Sequence, residues 1–177
     1  KVGKLSGWIG YTLSWTQFQF DSLNFGKMFY AKYDRRHDLS LVGIYRLRKE
    51  NTDSGEDGIT LSATWVYGTG NAITLPIANY WAQDHKIGGS APNFGNFYLD
   101  NVSEYTEKNG FRMAPYHRLD FGIQFHKTKK HGVRTWEFSL YNAYNRKNPY
   151  FYYIASNSNG PILKQISLFP VLPSASY

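Results

Sequence analysis

The chain of 177 residues contains no cysteine. That excludes a disulfide scaffold, a thiolate metal site and a cysteine nucleophile. Two methionines are too few for a Met-rich partner groove. Charged residues reach only 19%, below the quarter common in soluble domains. No apolar run approaches the roughly 18 residues of a transmembrane helix. No window carries helical periodicity either, because Gly, Asn, Thr and β-branched residues interrupt every stretch long enough for a helix. Residue 1 is Lys, and no charged leader followed by an apolar core stands there, so a signal peptide is not expected and the chain reads as mature, truncated or a fragment.

What is abundant is aromatic: 15 Tyr, 12 Phe and 5 Trp, 18% of the chain. With 42% hydrophobic residues, gross disorder is excluded. The mean hydropathy of −0.50 leaves a membrane barrel open, since lumen-facing residues are polar. Twenty Lys and Arg against 13 Asp and Glu give a net charge of +7. The basic residues are scattered. Arg46, Arg48 and Lys49 form one cluster, and Lys127, Lys129, Lys130 and Arg134 form another. Each flanks a turn-like segment, the ordinary place for solvated charge, so no nucleic-acid partner is expected.

The dominant pattern is period-two alternation, the mark of strands with one apolar face. In 7–18, Ile9, Tyr11, Leu13 and Trp15 alternate with Gly10, Thr12, Ser14 and Thr16. In 59–68, Ile59, Leu61, Ala63, Trp65 and Tyr67 alternate with Thr60, Ser62 and Thr64. In 118–127, Leu119, Phe121, Ile123 and Phe125 alternate with Arg118, Asp120, Gly122, Gln124 and His126. In 134–145, Trp136, Phe138, Leu140 and Tyr144 alternate with Thr135, Glu137, Ser139 and Tyr141. A fifth strand over 38–48 is less clean, because Val42 and Ile44 interrupt its polar side. A sixth begins near Ile162 and carries Pro170 and Pro173. Proline removes ladder donors, which predicts an irregular or edge strand. The fold class predicted is all-β.

The connections alternate in length. Segments 49–58 and 128–132 are short and polar, whereas 21–37 and above all 69–116 are long. Loops this long without periodicity are commonly functional. Short turns at one end and long loops at the other are the asymmetry of a transmembrane antiparallel β-barrel. Spans of about 9–11 residues suit a tilted strand crossing a bilayer. A soluble β-sandwich also alternates apolar and polar residues, and alternation alone does not separate the two.

Several stretches resemble the C-terminal barrel of Bacteroidetes-type TonB-dependent outer-membrane receptors, the broad SusC-like group. They are LSGWIGYTLS (5–14), YDRRHDLSLVGIYRL (33–47), LSATWVYGTGNAITLP (61–76), NGFRMAPYHRLDFGIQF (109–125), WEFSLYNAYNRKNPYFYY (136–153) and SLFPVLPSASY (167–177). Together they span almost the whole chain; YDRRHD, GNAITLP, YHRLD and YNRKNPY carry most of the specificity. The resemblance implies about six strands of a roughly 22-stranded barrel, the size of plugged outer-membrane transporters. Residues 1–177 would be the C-terminal portion, with the plug domain and earlier strands outside them. Segment 69–116 would be a long extracellular loop, and 134–153 one long strand projecting above the membrane. The family implies import of a nutrient (glycan, peptide or metal chelate) and no catalysed reaction. Its partners would be the TonB–ExbB–ExbD complex acting through the plug, a surface lipoprotein lid, outer-membrane lipid and the rest of the barrel, supplied by the same polypeptide or a second chain. An outer-membrane barrel with a structural or assembly role is one alternative. A soluble basic β-sandwich binding sugar or single-stranded nucleic acid is another.

The candidate ligand-binding residues are the loop aromatics Tyr80, Trp81, Phe94, Phe97 and Tyr98, which offer rigid surface with a polar handle. Arg118, Asp120, Gln124 and Glu137 are expected to face the lumen. Asp34, Arg35, Arg36, His37 and Asp38 read chiefly as a charge network fixing a loop to its neighbours. The five histidines show no metal-ligand spacing, so no metal and no cofactor are expected. No serine–histidine–aspartate frame or paired carboxylates stand out, so no catalytic residue is assigned.

Overall fold

The structure is a computed structural model. It describes residues 2–48, 57–83, 99–105, 107–158 and 160–177, and of residues 78–83 and 99–102 the backbone. Among the described residues the chain is all-β, with one 3-10 turn at Asn24–Gly26 and no α-helix. The strands are β1 (Leu5–Leu13), β2 (Gln17–Phe18), β3 (Phe29–Tyr30), β4 (His37–Arg48), β5 (Gly58–Gly68), β6 (Ala72–Ile73) and β7 (Pro76–Gln83). They continue with β8 (Leu99–Tyr105), β9 (Phe111–Arg112), β10 (Tyr116–Lys129), β11 (Gly132–Tyr141), β12 (Pro149–Asn157), β13 (Gly160–Ser167) and β14 (Leu172–Ser176).

Six of these form one antiparallel sheet in the order β1-β4-β5-β10-β11-β14. The sheet is open: β1 and β14 are its edges, and no closed barrel forms among the described residues. At one end, which we call the turn end, β10 passes to β11 through Lys130 and His131 alone. There Gly132 takes a φ of 145°, a conformation glycine adopts without steric cost. At the other end, the loop end, the connections are long and carry hairpins of their own.

Four expectations shift in detail. The first strand ends at Leu13 instead of running to Phe18, and Gln17–Phe18 pairs separately with Phe29–Tyr30. The single strand expected over 134–153 breaks at Asn142, where the backbone turns left-handed (φ 53°), as it does again at Asn145 (φ 52°). Asparagine tolerates that region better than most residues. The chain then rises as β12 and returns as β13, a separate hairpin. The strand that rejoins the sheet is therefore Leu172–Ser176 and not one beginning at Ile162. It lies at the sheet edge with Pro173 opposite Leu140, as its prolines predict. The long segment 69–116 is not irregular throughout: β7 pairs with β8 and β6 with β9.

The register explains the faces. Ile9 pairs with Leu41, Leu41 with Trp65, Trp65 with Leu119. One step on, Gly43 pairs with Ala63, Ala63 with Phe121, Phe121 with Leu140 and Leu140 with Pro173. Because side chains alternate with a period of two, these rows place every apolar set on one side of the sheet. The other side carries Thr60, Ser62, Thr64, Arg118, Asp120, Gln124, Glu137 and Ser139, with a small apolar island of Trp8, Val42 and Ile44.

Burial is inverted relative to a soluble sheet. On the apolar side Phe121, Trp136 and Phe138 are 41%, 42% and 45% exposed. Opposite them on the polar side, Gly122 is buried and Gln124, Thr135 and Glu137 are half-buried. Every substantial contact between strands joins ladder neighbours, so among the described residues no second layer covers the apolar side. The buried apolar residues, Phe29, Ala31, Ala72 and Met113, all lie at the loop end.

Candidate functional site

Two rows of aromatic side chains border the bare apolar side. At the loop end Tyr11 stacks on His37, Tyr67 on Trp65 and His117, and His117 packs against Tyr144. The hydroxyls of Tyr11 and Tyr144 lie 2.9 and 2.7 Å from Nδ1 of His37 and His117. At the turn end Trp136 meets Tyr177 with ring centroids 4.5 Å apart, and Phe125 packs edge-on to Phe138. Between the rows no charged residue occupies this face. From Tyr67 to Ile59 the band measures roughly 26 Å along the strand at about 3.3 Å per residue. A shallow apolar hollow of about 480 Å³ crosses β1 and β4 here; it offers no polar side chain to orient a ligand beyond Ser6.

All four residues expected to face a lumen share the polar side. Arg118 donates to Asp120 at 2.9 Å and to the hydroxyls of Tyr116 and Tyr141 at 3.0 and 2.6 Å, with its guanidinium 4.0 Å from the Tyr141 ring centroid. Gln124 donates to Glu137 at 3.0 Å. His126 bridges Thr60 and Thr135 through its two ring nitrogens. These groups satisfy one another across three strands, which is what a half-buried polar network requires.

The four motif segments meet at the loop end. Asp34 is buried and accepts from the Thr16 amide at 2.6 Å and from Arg112, with Arg36 at 3.7 Å. Arg112 also donates to the carbonyls of Asp34 and Gly70. The guanidiniums of Arg36 and Arg112 both approach the Tyr30 ring, at 5.1 and 4.9 Å from its centroid. Burial alone would raise the Asp34 carboxyl; the Arg112 and Thr16 hydrogen bonds and the two guanidinium charges outweigh it, and its pKa falls below the ordinary 3.8. Gly70 is required here, because a Cβ would sit 1.8 Å from the Met113 carbonyl oxygen. Asn148 receives the His117 amide on its carbonyl and returns its NH₂ to the His117 carbonyl, at 3.0 and 2.9 Å. Its side chain thus replaces a strand neighbour where the ladder ends. Asn142 fixes the other side, accepting from the Arg146 amide and donating to the Arg146 and Phe169 carbonyls. Within the charged cluster 34–38, Asp34 and Arg36 thus form the structural tie, while Arg35 reaches Asp38 and Asn71 and borders the cleft.

Against this tie lies a cleft of about 640 Å³, within the size range of small-ligand sites. Tyr33, Tyr116, Tyr150, Phe151, Lys32 and Arg35 are among its walls, and no carboxylate lines it among the described residues. Tyr33 and Tyr150 are 76% and 68% exposed. Tyr116 carries the cleft over to the Arg118 network. Of the aromatics singled out from the sequence, Phe94, Phe97 and Tyr98 lie outside the described residues, and Tyr80 and Trp81 are placed on β7 by backbone alone. The aromatics that line the cleft come instead from Tyr33, APYHRLD and the NPYFYY run. Their signal was present as aromatic clusters flanking the motifs, but their convergence depends on pairing between distant segments. Comparison with family models, curated proteins and solved structures gives no match.

Proposed function

We propose that this chain is part of an outer-membrane β-barrel, and that the barrel is a TonB-dependent transporter of a nutrient. One observation carries the membrane reading: the sheet leaves its apolar side bare, and among the described residues the band between its two aromatic rows holds no charged residue. A soluble monomer rarely exposes so large a contiguous apolar surface. Lipid is the medium in which such a face is stable, with Trp and Tyr at the headgroup level. A β-sandwich would cover this face with a second sheet, and the strands show none among the described residues.

The open edges follow from the same reading. Unpaired backbone groups in hydrocarbon cost several kcal/mol each, so β1 and β14 pair with further strands of the barrel. The polar side then faces the lumen, where Arg118, Asp120, Gln124 and Glu137 meet water, plug or substrate. The loop end is extracellular, and the cleft between Tyr33, Tyr116 and Tyr150 is the substrate-contacting surface. Lys32 and Arg35 beside these rings favour a substrate carrying negative charge. Import itself rests on the resemblance of the motif segments, and requires a plug coupled to TonB; a lipoprotein lid would meet the extracellular loops.

The test is fractionation of the native protein with boiled and unboiled gels run side by side. A heat-modifiable band in the outer-membrane fraction is expected. A soluble species near 20.4 kDa would overturn the reading. For the import step, loss of nutrient uptake on removing TonB is expected, and unchanged uptake would leave a barrel without that role.

A further inference from the structure

We propose that the β10–β11 hairpin tip binds the phosphodiester of an anionic glycerophospholipid headgroup on the lipid side of the sheet. The inference rests on the membrane reading above. The register sets Lys127 directly opposite Arg134, and both fall on the apolar side, one step beyond the Phe125–Trp136 pair. Lys129 lies one further step out on that side, and Lys130 and His131 make the turn. All five are exposed.

Like charges facing each other across a ladder destabilise it. Among the described residues no carboxylate pairs with either cation. No Asp or Glu occurs between Asp120 and Glu137. The adjacent carboxylate on the next strand, Asp57, is taken up by the Thr128 amide at 3.1 Å. Among the described residues none of the ion pairs reaches this cluster. A sheet that places Lys127 against Arg134 without a counter-charge is built for an anion between them.

The surroundings say which anion. The Arg134 guanidinium is 5.0 Å from the centroid of Tyr177, whose ring packs on Trp136. The charge is thus held at the border of the apolar band, level with the aromatic row. A hollow of about 490 Å³ opens there, lined by Lys129–Arg134. The guanidinium fork suits a phosphate's paired oxygens, and Lys127 and Lys129 add mobile point charges. A phosphate alone gains nothing from Phe125, Trp136 and Phe138 just above it. A headgroup does, because its acyl chains lie along them. Of the described turn-end basic groups, Arg46 lies on the polar side with Thr60 and Arg48 stands opposite Ile59, whereas the hairpin sets two cations face to face beside the apolar surface.

The test uses the native protein extracted in detergent and titrated with phosphatidylglycerol or phosphatidylcholine, with bound lipid counted by native mass spectrometry. Each surface cation contributes roughly fivefold to anionic-lipid binding. The expected result is therefore a preference for phosphatidylglycerol that falls by roughly twentyfold in the Lys127→Gln/Arg134→Gln double variant, which still gives the heat-modifiable band. A loop-end control, Lys32→Gln, keeps the preference. Equal retention of the two lipids by the unaltered protein would overturn the proposal, as would an unchanged preference in the double variant. Displacement of the lipid by millimolar inorganic phosphate would overturn it in favour of a soluble-anion site. Failure of the protein to enter the membrane at all would remove the membrane reading as well, and the gel separates that outcome from the others.

Discussion

The sheet and the loop end solve the burial problem in opposite ways. In the sheet, the large hydrophobic side chains stand exposed on one side while polar groups are half-covered on the other. At the loop end, the polar residues Asp34, Asn142 and Asn148 are buried at 1%, 1% and 6% exposure, alongside the buried apolar residues. The loop end is thus held by internal polar contacts, with Asp34, Asn142 and Asn148 paired and the buried Arg36 Nε without a hydrogen-bond partner among the described residues. The sheet is not self-sufficient: its hydrophobic free energy is realised only against another apolar phase. The loop end packs beside a sheet whose apolar side is uncovered among the described residues.

The largest expected effect tests that contrast directly. Phe121→Arg puts a charge in the middle of the bare side, at a cost of roughly 2–4 kcal/mol at mid-bilayer. It should abolish the heat-modifiable membrane band. Gln124→Arg, three residues along on the polar side and beside Glu137, should leave the band intact. Equal tolerance of both changes would sink the assignment of the faces.

At the loop end the largest loss should come from Asp34→Ala. It strands two guanidiniums that are only 29% and 31% exposed; breaking a buried pair costs about 3 kcal/mol at the lower end of the range. Limited proteolysis should then cut within 14–36, with the sheet still assembled. The same carboxylate makes this region acid-sensitive. Its folded pKa lies below the ordinary 3.8, so its contribution is fully present above that value and is lost as pH falls through the lower folded one. Proteolysis of the loop end should therefore accelerate below about pH 4, and Asp34→Asn should flatten that dependence. A pH response unchanged in Asp34→Asn would assign it elsewhere.

Asn148→Ala removes the side chain that completes the ladder at His117. It leaves an amide and a carbonyl without partners, at about 1–3 kcal/mol, and hydrogen exchange at the His117 amide should rise. Asn148→Asp should keep the accepted bond and lose the donated one, giving an intermediate rate. The smallest effect should be that of Arg35→Ala. Its 3.4 Å pair with Asp38 is nearly half exposed on both sides, and such pairs contribute within about 1 kcal/mol. Loss of stability well beyond that would show that Arg35 belongs to the tie. Loss of an anionic substrate with stability unchanged would place it in the cleft.

Much of the sheet was legible from the residues because strand periodicity is local. Ile59–Tyr67 and Leu119–Phe125 alternate so regularly that each strand declares its faces unaided. The side shared by Arg118, Asp120, Gln124 and Glu137 was legible for the same reason. The break at Asn142 was only faintly legible: the apolar parity of Trp136, Phe138 and Leu140 lapses at Asn142 and resumes at Tyr144, and the left-handed backbone at Asn142 and Asn145 ends the strand. The role of Ile162 was misplaced because the β12–β13 hairpin is as strand-like as the sheet.

By itself the sequence determined the all-β class, the polarity of each strand's two sides and the absence of thiol chemistry, since all are properties of single residues or their immediate spacing. Only the tertiary structure decided which strands neighbour one another, and hence that the apolar rows join into one uncovered surface. It alone brought Tyr33, Tyr116 and Tyr150 around one cleft. Those are long-range pairings, and a residue's partner across a sheet is fixed by register and not by anything its own neighbours in the chain encode.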